Sequence, residues 1–153
     1  MTIRQYDEED VIAYQKRFNQ LRDVAEAQVG KTSLYTFIQN DDSFKKAPDQ
    51  LTKNDLVEKA WNEWCAFLLF DGVNRNKYGT LHNKIRQQYT RGVDQYPRDT
   101  MVVVDMVGDQ KIDQKYYDIK KAKADKQKKL KIIRKMKLHR VHHLNKPRVQ
   151  RKK

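Results

Sequence analysis

Apolar residues recur along this chain at steps of three and four, the spacing that gathers side chains on one face of an α-helix. Val11, Tyr14, Phe18, Leu21 and Ala25 form the first such stripe. Asp7 stands where an N-cap belongs, Glu8, Glu9 and Asp10 favour a helix start, and Gly30 supplies the stop. A helix is therefore predicted over about residues 8–28. Ser33–Gln39 reads as a short helix with Leu34, Phe37 and Ile38 inward, whereas Asn40–Ser43 and Pro48-Asp49 read as loop.

The strongest stripe follows. Thr52-Lys-Asn-Asp55 fits a capping box, and Val57, Ala60, Trp61, Trp64, Leu68 and Leu69 run on from it to a stop at Asp71-Gly72. Each stripe needs a partner face, so Trp61, Trp64 and Leu68 are expected to be buried against Phe18 and Leu21. A base-stacking role for the two tryptophans is the weaker reading. Tyr78, Leu81, Ile85 and Tyr89 make a further helix closed by Gly92; Gly79 inside it costs helix propensity and admits a close crossing. The three valines of Thr100–Val107 favour a strand locally, but the chain offers no partner strand. That segment reads as a short helix with Thr100 as its cap. Ile112, Tyr116, Ile119, Leu130, Ile133 and Met136 continue at loose helical spacing, and Pro147 breaks any helix that reaches it. The fold class is all-α: a small helical bundle followed by a long basic tail, partly helical or disordered.

Charge divides the chain more sharply than hydropathy does. Residues 1–110 carry 15 Lys/Arg against 17 Asp/Glu, whereas residues 111–153 carry 18 Lys/Arg against three Asp. Two parts follow: a helical domain over 1–110 with the composition to bury a core, and a basic tail over 111–153. Over 119–153 the only acid is Asp125. A solvated surface helix usually mixes its signs. Like charges at i, i+4 destabilise an isolated helix, so this tail gains most from an anionic partner and is able to order on binding it. RNA or DNA is the expected partner, because neutralising phosphates releases counterions. The cations expected to hold phosphate are Lys120, Lys121, Lys123, Lys126, Lys128, Lys129, Lys131, Arg134, Lys135, Lys137 and Arg140. No aromatic follows Tyr117, so binding should be weakly sequence-selective.

Other chemistry is sparse. A single cysteine, Cys65, excludes an internal disulfide and a cysteine-based zinc site, and its apolar setting reads as core. His139, His142 and His143 cluster among Lys137, Arg140 and Lys146, where positive charge disfavours a metal ion, so no metal and no cofactor is expected. There is no glycine-rich phosphate loop and no Ser/His/Asp order; carboxylate pairs such as Asp41-Asp42 lie in polar surroundings. No catalytic residue is assigned and the chain is not expected to be an enzyme. The apolar run ending at Phe70 is too short for a membrane span. The N-terminus is polar and acidic, without the apolar core of a signal peptide. A cytoplasmic location is expected, or a nuclear one given the import-like Lys120-Lys-Ala-Lys123.

Residues 61–100 carry several unusual pieces in order: Phe67-Leu68, Lys77-Tyr78-Gly79-Thr80-Leu81, Gly92-Val93-Asp94-Gln95-Tyr96-Pro97 and Thr100. This phrase resembles the gag-like region of Copia-type retrotransposon polyproteins. The resemblance implies a capsid-like helical domain that self-associates into homo-oligomers, followed by a nucleic-acid-binding segment. It departs from the family at Met101–Gly108, where an Ala- and Leu-rich helix is usual, and in lacking a zinc knuckle. The alternative is a cellular RNA- or chromatin-associated adaptor, with a helical protein-binding domain and a basic docking tail.

Overall fold

The computed structural model describes residues 3–30 and 38–144, and for Val29 and residues 137–144 the backbone alone. The described residues contain helices and no strand. In chain order they are α1 (Val11–Val29), α2 (Asp42–Lys45), α3 (Gln50–Asp71), α4 (Arg75–Thr90), α5 (Thr100–Gly108) and α6 (Gln114–Leu144). The chain divides into two compact units, Met1–Asp113 and Gln114–Lys153. The predicted helix at Ser33–Gln39 falls mostly outside the described residues; Ile38 is helical.

In the first unit α1, α3 and α5 pack on one another. Tyr14 and Phe18 come from α1, Cys65, Ala66, Leu69 and Phe70 from α3, and Val103 and Val107 from α5. Tyr78, Leu81 and Ile85 of α4 complete the core. The valine-rich segment is a helix because Val103 and Val107, one turn apart, both reach this core. Tertiary burial there outweighs the local preference of valine for strands.

Aspartates start three helices one to three residues away from the caps that the sequence suggests. Asp10, not Asp7, caps α1 by accepting from the Ala13 amide at 2.7 Å. Asp7 instead accepts from the Asn74 side chain at 2.9 Å. Asp49 caps α3 by accepting from the Thr52 amide at 2.7 Å, so the Thr52–Asp55 capping box is replaced by an earlier start. Asp99 rather than Thr100 caps α5. Asp41 caps α2, a short helix where the sequence reads as loop. A carboxylate accepts more strongly from backbone N–H than a hydroxyl does, which favours Asp49 over Thr52 and Asp99 over Thr100.

Residues 3–9 cross the joint between α3 and α4. The Gln5 amide donates to the Gly72 carbonyl at 2.8 Å, and the Gln5 side chain accepts from the Asn74 amide and donates to the Glu9 carbonyl. The Tyr14 hydroxyl, fully buried, donates to the carbonyls of Ile3 and Leu69 at 3.1 and 3.3 Å. Gly72 is required here by space: a methyl group on it would run into the Ile3 carbonyl and the Tyr14 hydroxyl.

The main correction concerns α3. Trp64 is 45% exposed and Leu68 is 39% exposed, so neither is buried against Phe18 and Leu21. Trp61 is partly buried against the core and Leu21 is only partly covered. From Trp64 to Phe70 the helix is apolar all round, so its spacing does not choose a face. The face that packs is the one with the smaller residues Cys65 and Ala66, which let α1 and α5 approach closely. Tyr89 likewise ends exposed, because the buried stripe of α4 stops at Ile85.

Candidate nucleic-acid interface

Helix α6 runs unbroken for 31 residues and carries most of the basic segment. Near its start, Tyr116 and Tyr117 meet edge to face at 5.7 Å, and the Lys120 ammonium lies 6.0 Å from the Tyr116 ring centre. Gln114 donates to Asp118 one turn on, at 3.2 Å. Every side chain from Lys120 to Met136 is exposed.

The helical repeat sorts these residues. At about 100° per residue, Lys120, Lys121, Lys128, Lys131, Arg134 and Lys135 fall within an arc of about 140°, shared only with Ala124 and Gln127. The rest of the circumference holds Lys123, Lys126 and Lys129 among Ala122, Asp125, Leu130, Ile132, Ile133 and Met136. At 1.5 Å per residue the six-cation face is about 22 Å long. A duplex presents about 13 phosphate charges over that length, so every cation on the face has phosphates within reach. Nine of the eleven sequence-assigned cations therefore lie exposed on one helix, six of them on a common side. Lys137 and Arg140 lie on the same helix, in the stretch for which the backbone alone is described. His139, His142 and His143 lie there too. Among the described residues no group of three or more His, Cys, Asp or Glu gathers as a metal site.

The first unit has different chemistry. A groove lined by Asp55, Glu58, Lys59, Asn62, Glu63, Arg98 and Asp99 lies along α3. Arg98 spans part of it, donating to Glu63 at 3.1 Å and to Asp94 at 2.7 Å. Another ion pair is more buried: Arg17 donates through Nε and Nη2 to the two Glu9 oxygens at 2.9 and 2.8 Å. Those hydrogen bonds hold the Glu9 carboxyl below its ordinary value, against the opposing effect of burial. His82 packs against Phe70 at 4.6 Å and shares a 3.2 Å contact with the Val73 carbonyl; burial pushes its pKa down. Arg98, Glu9, Arg17 and His82 are thus structural positions, each satisfied by neighbours in the fold.

The quoted phrase of residues 61–100 is also placed by packing. Lys77 is buried, and its ammonium donates to the Glu9 carbonyl at 2.8 Å. Tyr78 leaves helical geometry, with φ −130° and ψ 30°, which kinks α4. Asp113 serves both sides of that kink: its amide donates to the Lys77 carbonyl at 2.7 Å and its carboxylate accepts from the Thr80 amide at 2.8 Å. Gly79 leaves room for that carboxylate, so the close approach it admits is to a loop and not to a crossing helix.

Sequence reading missed one surface. Trp64 stacks on Phe67 at 5.8 Å, Phe67 meets Tyr96 at 5.7 Å, and Tyr96 meets Tyr89 at 5.6 Å. The signal was present in the all-round apolarity of residues 64–70, which is more than one buried face can use. No helix among the described residues is long and apolar enough to cross a membrane. No protein-family model, curated protein or solved structure matches the chain.

Proposed function

We propose that this chain is a non-enzymatic, gag-like protein that binds RNA through phosphate contacts of α6 and self-associates through its first unit. The observation that carries the reading is the set of six exposed cations on one side of a single helix. Held on one face of a helix, the cations meet phosphates with less ordering at the moment of binding than a structureless segment needs, which lowers the entropic cost of association. No aromatic or amide reader stands among the six, so affinity should depend on charge and length more than on sequence. The Copia-type phrase supports the retrotransposon assignment, the self-association and the choice of RNA. An adaptor that docks on RNA or chromatin is the second reading, favoured by the exposed aromatic surface of the first unit, which suits a protein partner.

Two triple substitutions of equal charge test the interface. Lys128→Ala, Lys131→Ala and Lys135→Ala together remove half of the cationic face. Lys123→Ala, Lys126→Ala and Lys129→Ala remove the same charge from the other side. The first triple should reduce the slope of log K against log salt by about 2–3 and the second by clearly less. Equal losses would remove the face from the account and leave only net charge.

A further inference from the structure

The chain of rings over Trp64, Phe67, Tyr96 and Tyr89 has no role in the phosphate-binding reading. We infer that this ridge is the surface through which two copies of the chain pair, with the same ridge on both partners. The inference deepens the self-association part of the proposed function and rests on it for the choice of partner.

The ridge lies opposite the core face of α3. Val57, Ala60, Trp64 and Leu68 follow at steps of three and four along that outer side. Cys65, Ala66, Leu69 and Phe70 point the other way, into the core. Trp64 is 45% exposed, Phe67 39% and Tyr89 57%. With Leu68 these residues present roughly 400 Å² of apolar surface, taking an aromatic side chain as about 150–250 Å². A standard interface buries about 800 Å² per partner, of which a little over half, or about 450 Å², is apolar. One ridge on each of two copies therefore supplies about the apolar area that a stable pair needs. Tryptophan, tyrosine and phenylalanine are also the residue types enriched at the centre of such contacts.

Charge favours a second copy over RNA at this place. Residues 1–113 hold 16 Lys/Arg and 18 Asp/Glu, so two first units meet almost without repulsion and offer a polyanion little attraction. The ridge itself carries no cation. Of the charges around it, Arg98 is paired with Glu63 and Asp94 and Arg75 with Asp71, and Arg86 and Arg91 flank Tyr89 in the sequence. A polar rim of both signs around an aromatic centre suits an isologous contact, in which the same patch meets itself and opposite charges pair across the two-fold axis. Pairing would also join two α6 rods in one particle and raise their avidity for a long RNA.

Sedimentation velocity on the full chain, freed of nucleic acid in high salt, tests the inference over about 1–100 μM. The wild type should pass from monomer to dimer with rising concentration. Phe67→Ser with Tyr89→Ser should weaken the dimer at least tenfold in a protein that still melts cooperatively above the temperature of the run, and Tyr89→Ser alone, at the most exposed ring of the ridge, should weaken it in the same direction. Ile12→Ser, which removes an exposed apolar side chain of α1 outside the ridge, should leave the dimer intact. A parallel RNA titration separates the two readings. A monomeric wild type that still binds RNA overturns the ridge alone, as does a double variant that dimerises normally. A dimer abolished by the ridge variant but indifferent to RNA upholds the ridge and overturns the RNA reading. A ridge that contributes directly to RNA affinity in a monomeric protein makes it a stacking platform and refutes pairing.

Discussion

Replacing Phe70 and Trp64 by alanine, one at a time, separates the two faces of α3. Phe70 is 2% exposed, lies 4.6 Å from the His82 ring and meets Tyr96 edge to face at 6.0 Å. Its removal leaves a cavity between α3 and α4 that close-packed neighbours fill only in part, at a cost of about 3–5 kcal/mol. That is a large share of the 5–15 kcal/mol expected for a domain. For a unit of this size the melting temperature should fall by about 12–20 °C. Trp64 is 45% exposed, so its truncation costs only the covered part of the ring together with its stack on Phe67, the stack being worth about 0.5–1.5 kcal/mol. Trp64→Ala should lower the melting temperature by clearly less than Phe70→Ala does. Calorimetry is the right assay, because the 31-residue α6 adds a large helical signal of its own to circular dichroism. Measurements on RNA-free protein at low concentration keep self-association from adding to the stability. Equal losses in the two variants would refute the orientation of α3, and with it the exposed ridge.

Three further outcomes are expected. Gly72→Ala should destabilise the first unit by about 1–3 kcal/mol, because the added methyl displaces the Ile3 carbonyl or Tyr14; faster hydrogen exchange at the Gln5 amide checks the cause. Glu9 is held below its ordinary 4.5 chiefly by the Arg17 hydrogen bonds, so it contributes stability that is present above that pH and lost as pH falls through the lowered value. The stability difference between wild type and Glu9→Gln should be full at pH 7 and shrink in urea melts as the pH falls below the ordinary carboxylate range; buried His82, whose pKa is lowered too, acts equally in both proteins and cancels. Asp113→Ala should cost about 1–2 kcal/mol by leaving the Thr80 amide at the α4 kink without its acceptor, read as local hydrogen exchange at Thr80.

Helix content was legible because the stripes on α1 and α4 have one apolar side each. Tyr14 with Phe18, and Tyr78 with Leu81 and Ile85, could face only inward. Helix α5 was legible by topology, since a single strand has nothing to pair with. The orientation of α3 was not legible: Trp64-Cys-Ala-Phe-Leu-Leu-Phe70 offers an apolar residue at every angle, and the choice was made by how closely α1 and α5 approach Cys65 and Ala66. Polar burial was equally hidden. Nothing local marks Lys77 or Gln5 as interior; their partners, Glu9 in one case and Gly72 with Asn74 in the other, are brought by the segment that crosses the α3–α4 joint. The cations of α6 were visible from charge alone. Their sorting into a face of six and a mixed side needed an unbroken helix across residues 120–135.

The salt dependence of RNA binding by the full chain tests the central claim most directly. If the six cations of the α6 face contact phosphate, log K should fall against log salt with a slope of about −4 to −5, depending on strandedness. Affinity should then drop about a thousandfold between 50 and 200 mM salt, alike for RNAs of equal length and structure. A slope near zero, or strong preference among such RNAs, would contradict phosphate-driven binding by α6.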